Sequence, residues 1–212
     1  MSIDSKSVRV DINPHVECAE TLASRVYTDA AILTLEKERI FRRTWQSVGT
    51  LRQPCGESNG VRRTIADPET YFTFDVAGEP VVVVRDKAGM LRAFSNVCRH
   101  RAGPIAQGAG CRNVLNCAYH GWTYALDGKL IGTPEVDGVE FFDRSAMGMV
   151  PLRCETWEQF IFVNFAQSGP ALTEFLGNIP QLAKQFSFED LSLVERRNYF
   201  VNCNWKIWEN VK

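Results

Sequence analysis

The sequence has little of several features that would indicate a particular class of protein. Its 212 residues include only three histidines, and 24 lysines and arginines are balanced by 25 aspartates and glutamates. The resulting net charge of -1 gives no electrostatic case for binding nucleic acid or an anionic membrane surface. We therefore expect neither nucleic acid nor a membrane as a partner, and other partners must be inferred from individual sites.

Long apolar segments and an export signal are also missing. The longest aliphatic run, VVVV at 81–84, is far shorter than a bilayer-spanning segment, and the N-terminal stretch MSIDSKSVRVDINPH has no apolar core. The seven cysteines are an odd number at irregular spacing, in a chain long enough to form a core without disulfides. We therefore expect free thiols and a cytoplasmic location.

The first 45 residues predict an N-terminal arm and a helix. The stretch at 28–45, TDAAILTLEKERIFRRTW, opens with residues that commonly cap helices. It places four large apolar side chains near one helical face, which predicts an amphipathic helix. These side chains are Leu33, Ile40, Phe41 and Trp45.

Residues 46–166 predict a mainly β domain. Short runs rich in β-branched and aromatic residues alternate there with Gly, Pro and Asp. The runs are SVGTL, YFTFDV, PVVVVRD, LRAFSNV, NVLNC, WTYAL, KLIG and FIFVNF. Asp127-Gly128 predicts a tight hairpin and the loop DKAG at 86–89 a longer one, because both offer residues that tolerate positive φ. The whole pattern predicts an antiparallel β sandwich.

The pattern changes again in residues 167–212. AQSGP is typical of a linker, PALTEFLGNIPQLAKQF of a helix interrupted at Pro180, and LVERRNYFVNCN of a strand. NWKIWENVK begins like a helix but reaches Lys212 without a glycine cap or a complete apolar face. We expect this segment to be the beginning of an incomplete α+β domain.

One stretch concentrates ligands for soft and borderline metals. Residues 98–124 read CRHRAGPIAQGAGCRNVLNCAYHGWTY and contain two of the three histidines. Zinc or iron would suit the two thiolates and two imidazoles of Cys98-x-His100-x16-Cys117-x2-His120. Structural zinc sites usually group like ligands, whereas each loop here contributes one cysteine and one histidine. This arrangement favours two irons with different ligand sets over a zinc site.

The segments CRHRAGPIAQ and CAYHGWTYALDGKL resemble the two cluster-binding loops of Rieske proteins. The resemblance implies a Rieske-type β sandwich that binds a [2Fe-2S] cluster. It also implies the ligands, which are at once the metal-binding and the cofactor-binding residues: Cys98, His100, Cys117 and His120. Gly103-Pro104 and Gly121, which follow the two ligand pairs, would allow tight turns with backbone N–H groups near the sulfides.

Respiratory and photosynthetic Rieske proteins carry an extra, disulfide-forming cysteine in each loop and a serine two residues after the second histidine. This chain has Gly103 in the first loop, Ala118-Tyr119 in the second and Trp122 at the serine position. We therefore expect no disulfide and a low reduction potential, since hydrogen bonds to sulfur raise it. A ferredoxin or a reductase would be the electron donor.

The roles of the other residues of this stretch are less strongly indicated by the sequence. Trp122 would pack as a lid over the cluster, and Tyr124 is a core residue in preference to a donor to a cluster cysteine. Arg99 and Arg101 would serve docking or be solvated loop charges. Cys111, between the two loops, is interpreted as a small loop hydrophobe.

A wider resemblance covers about residues 27–212. The order of EKERIFRRTWQSVG, the two loops, the strand WEQFIFVNF and NYFVNCNWKIWENVK is similar to the N-terminal half of the large subunit of Rieske non-haem iron oxygenases. In that family the Asn204-Trp205-Lys206 stretch and Glu209-Asn210 would open the catalytic domain. The resemblance implies O2-dependent hydroxylation with electrons relayed through the cluster. It also implies a homotrimer or an alpha-beta hetero-oligomer of full-length chains.

These oxygenases hold a second, mononuclear Fe(II) on two histidines and a carboxylate. With His100 and His120 assigned to the cluster, only His15 is left. We therefore expect no catalytic residue in this chain, and a truncated fragment that is not a competent oxygenase by itself. Both the aromatic-ring dioxygenases and the quaternary-amine monooxygenases fit. A stand-alone Rieske-type electron carrier is the alternative.

Overall fold

The structure, a computed structural model, describes residues 13–134, 136 and 138–209. Its contacts divide the chain into two compact units. One is Phe41–Arg196, and the other combines the described parts of Met1–Ile40 and Arg197–Lys212. No helix in the described ranges is both long and apolar enough to cross a bilayer. The predicted boundaries at residues 45 and 166 stay predictions.

The unit Phe41–Arg196 is built from antiparallel strands. Within the described residues the strands are β1 (Gln46–Thr50), β2 (Pro54–Ser58), β3 (Val61–Thr64), β4 (Thr70–Val76), β5 (Glu79–Arg85), β6 (Leu91–Ser95), β7 (Ala109–Cys111), β8 (Val114–Asn116), β9 (Thr123–Ala125), β10 (Leu130–Gly132), β11 (Pro151–Trp157) and β12 (Phe160–Asn164). They form a seven-stranded sheet in the order β1-β12-β11-β6-β5-β4-β7, a three-stranded sheet β10-β9-β8 and the pair β2-β3. The predicted mainly antiparallel β fold is confirmed.

The seven-stranded sheet is buried on both faces. The side chains of successive residues in a strand point to opposite faces, and β5 carries four consecutive valines that are all fully buried. Val82 and Val84 pack on the face that also contacts the three-stranded sheet. Val81 and Val83 pack on the opposite face, with residues such as Ile161. A continuous valine run therefore stabilises two apolar cores at once.

Both predicted hairpins are present. The loop after β5 closes with Asp86 and Met90 backbone groups 3.0 Å apart, and Gly89 has a φ of +80°. Between β9 and β10, Gly128 has a φ of +93°. A Cβ at Gly128 would lie 2.5 Å from a ring carbon of Phe94, so this turn needs glycine for its space as well as for its conformation.

Four strands and one turn were not predicted from the sequence. β2, β3 and β7 are short and rich in Gly and polar residues, so they show no clear alternation. The segment WEQFIFVNF, predicted as one strand, is instead a hairpin, because Glu158 has a φ of +51° and separates β11 from β12. The run that precedes this turn, Pro151–Trp157, was not predicted at all.

The unit formed by the two chain ends is helical. It contains α1 (Arg25–Thr28) and α2 (Ala30–Glu36), with a π-helical turn over Lys37–Phe41 at the end of α2. The Asp29 side chain caps α2 by accepting a hydrogen bond from the Ala31 N–H at 2.8 Å.

The helix predicted over 28–45 is too long. Helical residues end at Phe41, and a π turn has more residues per turn than an α-helix, so the apolar positions leave the expected face. Ile32 is the buried residue of α2, whereas Ile40 is 40% exposed. Trp45 lies beyond the helix and is buried against Leu172 and Leu176.

The segment after β12 differs from its prediction in two places. The predicted helix is two helices, α3 (Leu172–Leu176) and α4 (Ile179–Ala183), and the break falls at Gly177, whose φ is +56°. Pro180 lies in the first turn of α4, where its missing N–H costs no hydrogen bond. The predicted strand LVERRNYFVNCN is absent, since residues 193–204 form neither helix nor strand.

The helix predicted at the C-terminal end is present as α5 (Trp205–Glu209). Residues 210–212, the rest of the NWKIWENVK prediction, lie outside the described residues. The Trp205 indole and the Lys206 ammonium both donate to the Glu36 carboxylate, at 2.9 and 2.6 Å. These bonds connect the two chain ends within their own unit.

Candidate metal centre

The two loops of the Cys/His motif have the same backbone construction. One follows β6 and the other connects β8 to β9. In the first, the Cys98 N–H donates to the Gly103 carbonyl at 2.8 Å, and the Ala102 N–H donates to the Cys98 carbonyl at 3.0 Å. In the second, the Cys117 N–H bonds the Trp122 carbonyl and the Gly121 N–H bonds the Cys117 carbonyl, both at 2.9 Å. The spacings are five and four residues in both loops.

A residue with a left-handed backbone conformation occupies the same place in each loop. Ala102 has a φ of +55° and Gly121 a φ of +71°. Glycine in the second loop is expected, but alanine in the first is not, since a Cβ disfavours this region. The loop construction therefore outweighs the local preference of Ala102.

The motif separates its thiols from its imidazoles. Cys98 and Cys117 are 3% and 2% exposed. The His100 side chain is exposed, and that of His120 is half-buried. The two imidazole rings are in contact, with centroids 4.7 Å apart and planes at 71°. Two thiols thus lie inside the protein and two imidazoles at its surface.

Burial raises the pKa of the Cys117 thiol, and the neighbouring Cys98 raises it further. Backbone N–H groups of Tyr119 and His120 donate to the Cys117 sulfur and oppose this shift. Two backbone N–H groups are therefore in place to stabilise a thiolate at Cys117. The thiolate is favoured over the thiol near neutral pH only with a positive charge beside it, such as a metal ion.

Tyr124 is both a core residue and a neighbour of the sulfur. Its side chain is fully buried, as predicted. Its hydroxyl lies 3.3 Å from the Cys98 Sγ and accepts a hydrogen bond from the Arg99 N–H at 3.2 Å. Burial, followed by the Cys98 contact, raises the pKa of Tyr124, so the hydroxyl keeps its proton and can donate it to the sulfur.

Asn96 supports the first loop and was missed from the sequence. Its side chain is 5% exposed and makes three hydrogen bonds. Oδ1 accepts from the N–H groups of Ile105 and Ala106 at 3.1 and 2.9 Å, and Nδ2 donates to the Ala106 carbonyl at 2.8 Å. Asn96 lay inside the predicted strand run LRAFSNV, where a single polar residue gives no signal of its own.

Trp122 packs on one of the imidazoles. Its ring lies parallel to that of His100, with centroids 4.9 Å apart and planes at 7°, and the Phe142 ring is inclined to it at 73° with the centroids 5.8 Å apart. The indole is 3% exposed, and its Nε1 has no hydrogen-bond partner. A buried N–H without an acceptor costs about 1 to 3 kcal/mol.

Gly103 of the first loop lies against the second loop. A Cβ at this position would lie 3.4 Å from the Cys117 Sγ and 3.3 Å from the Tyr119 Cβ. Even a methyl group at residue 103 would therefore be in tight contact with the second loop. All seven cysteines are free thiols.

The other candidate residues from the sequence are not among the two cysteines and two histidines that the loops bring together. Cys111 is on β7, not in a loop, and its thiol donates to the Cys55 carbonyl at 3.3 Å. Arg99, Arg101 and His15 are exposed. Among the described side chains, no three or more His, Cys, Asp or Glu residues are placed around a single metal ion.

A [2Fe-2S] group fits the residues present. It needs two thiolates on one side and two imidazoles on the other, and the protein supplies one of each from two matching loops. The missing side chain at Gly103 and the unpaired indole N–H of Trp122 lie beside these same loops.

Comparison with known families agrees with this geometry. Residues 60–143 match the model of the Rieske [2Fe-2S] domain, a range that contains both loops. This part of the chain is therefore a Rieske domain.

The homologues of the chain are Rieske oxygenases. Choline monooxygenase of Arabidopsis thaliana is 32% identical over 97% of this chain and 49% of its own length. The carnitine monooxygenase oxygenase subunit of Acinetobacter pittii is 34% identical over 92% of this chain and 50% of its own. The chain thus spans about half the length of these relatives.

Solved structures give the same family. The apo form of the quaternary ammonium Rieske monooxygenase CntA superposes with a TM-score of 0.79 and 34% identity, over 89% of this chain and 53% of that one. A naphthalene 1,2-dioxygenase superposes with a TM-score of 0.65 and 28% identity, over 74% and 33%. The chain has the fold found in about half of CntA.

Proposed function

We propose that this chain transfers single electrons through a Rieske [2Fe-2S] cluster. Cys98 and Cys117 would hold one iron as thiolates, and His100 and His120 the other as neutral imidazoles. The observation that carries the proposal is the placement of two buried thiols and two surface imidazoles by two loops of the same construction. When bound, the cluster supplies reversible one-electron chemistry.

The surrounding residues have distinct roles in this proposal. Buried apolar side chains around the thiols, among them Leu115 and Trp122, exclude water from the cysteine side. The Tyr124 hydroxyl and the N–H groups of Tyr119 and His120 donate to sulfur and stabilise negative charge there. The exposed His100 gives a redox partner a short path to the site.

The electron transfer would serve an O2-dependent hydroxylating oxygenase. The mononuclear iron of that enzyme would be held by residues outside this chain, since His15 is the one histidine left. The chain alone would then not be a competent oxygenase, and no catalytic residue is assigned to it. The relatives named for choline and carnitine are 32 and 34% identical, against 28% for naphthalene dioxygenase. These values favour a quaternary ammonium substrate over an aromatic ring.

The proposed partners follow from the same relationship. A ferredoxin or a reductase would donate the electron, and the full-length protein would be a homotrimer or an alpha-beta hetero-oligomer. CntA is described with inter-subunit electron transfer, which supports an oligomer. A cytoplasmic location remains a prediction from the cysteine content. The alternative, a stand-alone Rieske-type electron carrier, is favoured by the compactness of Phe41–Arg196, which contains the whole site.

The test is spectroscopic. The chain, purified without oxygen, should contain about two irons and two sulfides and give a Rieske absorption and EPR spectrum after reduction. His100→Ala should abolish this spectrum, whereas the matched variant His15→Ala should keep it. A colourless protein that contains zinc, or a spectrum unchanged in His100→Ala, would exclude the proposal.

A further inference from the structure

The indole nitrogen of Trp122 is an unpaired donor beside the proposed ligands. In the described part of the chain, four buried side-chain polar atoms have no hydrogen-bond partner. Three of them, on Thr50, Arg63 and Gln159, belong to other regions of the fold. Trp122 is the one whose ring contacts a proposed iron ligand, His100.

Neither aromatic neighbour offers a lone pair to the indole hydrogen. The lone pairs of an imidazole lie in the plane of the ring, and the His100 ring is parallel to the indole at 7°. Phe142 carries no lone pair, and its ring is inclined at 73° to the indole with the centroids 5.8 Å apart. The other buried side chains of this cluster are mostly aliphatic. A buried N–H at such a position needs an acceptor from outside these side chains.

We infer that the indole N–H of Trp122 donates a hydrogen bond to a sulfur of the bound [2Fe-2S] group. This inference rests on the proposed function. The group, if held by His100 and the two cysteines, would supply sulfur acceptors at the loops that hold Trp122, whose ring stacks on His100. The Trp122 carbonyl already bonds the Cys117 N–H at 2.9 Å, so the indole is held by the same loop as the ligands.

Trp122 is thereby a positioning residue with two separable effects. Its ring face orients His100, and its N–H stabilises the reduced cluster, which carries one more negative charge. A hydrogen bond to sulfur favours reduction, because the bond strengthens as the charge on sulfur grows. Loss of one bond of average net strength changes the reduction equilibrium about fivefold, which corresponds to about 40 mV for one electron.

Trp122→Phe separates the two effects, because phenylalanine keeps an aromatic face and lacks the N–H. We expect this variant to retain the Rieske EPR spectrum and to have a midpoint potential about 40 mV lower. The matched control is Trp157→Phe, which removes an indole that packs with Phe160 and Phe188 and should leave the potential unchanged. Equal potentials in Trp122→Phe and the unmodified chain would overturn the inference.

A second measurement tests the hydrogen bond from Trp122 if the Trp122→Phe variant does not bind the cluster. In the unmodified chain labelled with 15N at the indole nitrogens, pulsed EPR of the reduced cluster should show a weak 15N coupling. A Rieske spectrum without any indole coupling overturns the role of Trp122 and leaves the proposed function standing. Absence of a Rieske spectrum from the unmodified chain overturns the proposed function itself.

Discussion

The three-stranded and the seven-stranded sheet of Phe41–Arg196 depend on different sources of stability. The seven-stranded sheet has strands of up to seven residues and apolar cores on both faces. The strands β8, β9 and β10 have three residues each, and the loop between β8 and β9 carries two of the proposed ligands. A sheet this small gains little from its own backbone pairing, so its stability should depend on the bound group.

The largest effect is expected from Cys117→Ser. The serine hydroxyl is a poor ligand for the iron, so the variant should lose the cluster, and the small sheet should become labile to proteolysis. Cys111→Ser, on the edge strand β7 of the large sheet, is the matched control and should keep its iron. Equal iron content in the two variants would remove Cys117 from the ligand set.

The contact between the two sheets is tested by Gly128→Ala. The alanine Cβ would meet Phe94 at 2.5 Å, and the φ of +93° disfavours it, so we expect a loss of about 3 kcal/mol in unfolding free energy. Gly89→Ala is the matched control, with a φ of +80° and no atom within 4 Å of its Cβ. Urea titration gives both values, and an equal loss would mean that the close approach to Phe94 is unimportant.

His120→Cys changes the surface side of the small sheet. A thiolate would add negative charge at the iron for which the neutral imidazoles are proposed, so we expect the cluster to be lost or its potential to fall by about 100 mV or more. His15→Cys places a thiol at an exposed position and should change neither. An unchanged redox titration and spectrum for His120→Cys would contradict the assignment.

The smallest effect is expected from a pair of tyrosines, one for each sheet. Tyr124→Phe removes the hydroxyl beside the Cys98 sulfur, and Tyr71→Phe removes a hydroxyl that donates to the Gln107 carbonyl at 3.3 Å. Each should cost about 1 kcal/mol of stability. Only Tyr124→Phe should also lower the reduction potential, by about 40 mV. A lowered potential in both would show that the change is not specific to sulfur.

Tyr124 opposes the low reduction potential that was predicted from the sequence, because a hydrogen bond to sulfur raises the potential. Trp122 stands where other Rieske proteins have a serine, so the hydroxyl of that serine is missing here. The structure adds the Tyr124 hydroxyl at the Cys98 sulfur, although Tyr124 was predicted as a core residue in preference to a donor. Both roles hold, because a phenol can bury its ring and still direct its oxygen to a loop.

Much of the fold could be predicted from local patterns. The valines at 81–84 and the Asp127-Gly128 turn are explained by β-propensity and positive φ, which depend on a few neighbouring residues. The helix over 28–45 failed because a π turn changes the periodicity on which the prediction relied. The strand predicted over residues 193–204 is absent, because a strand needs a pairing partner that a local pattern cannot supply.

Part of the candidate site could likewise be predicted from the sequence, and part could not. Residue types and spacing were enough to select Cys98, His100, Cys117 and His120 and to favour two irons over one zinc, since ligand chemistry is a property of the side chains. As ligands they stay a prediction that the spectra above will test. Asn96 was not selected, because its value lies in three bonds to a loop that only the fold brings to it.

The amino-acid sequence alone determined the identity and number of the possible ligands. It also determined the glycines that let the loops turn. The burial of the thiols, the exposure of the imidazoles and the parallel contact of Trp122 with His100 depend on the packing of the small sheet against the large one. Burial and stacking are relations between residues from several strands, so the tertiary structure alone could decide which end of the site faces the core.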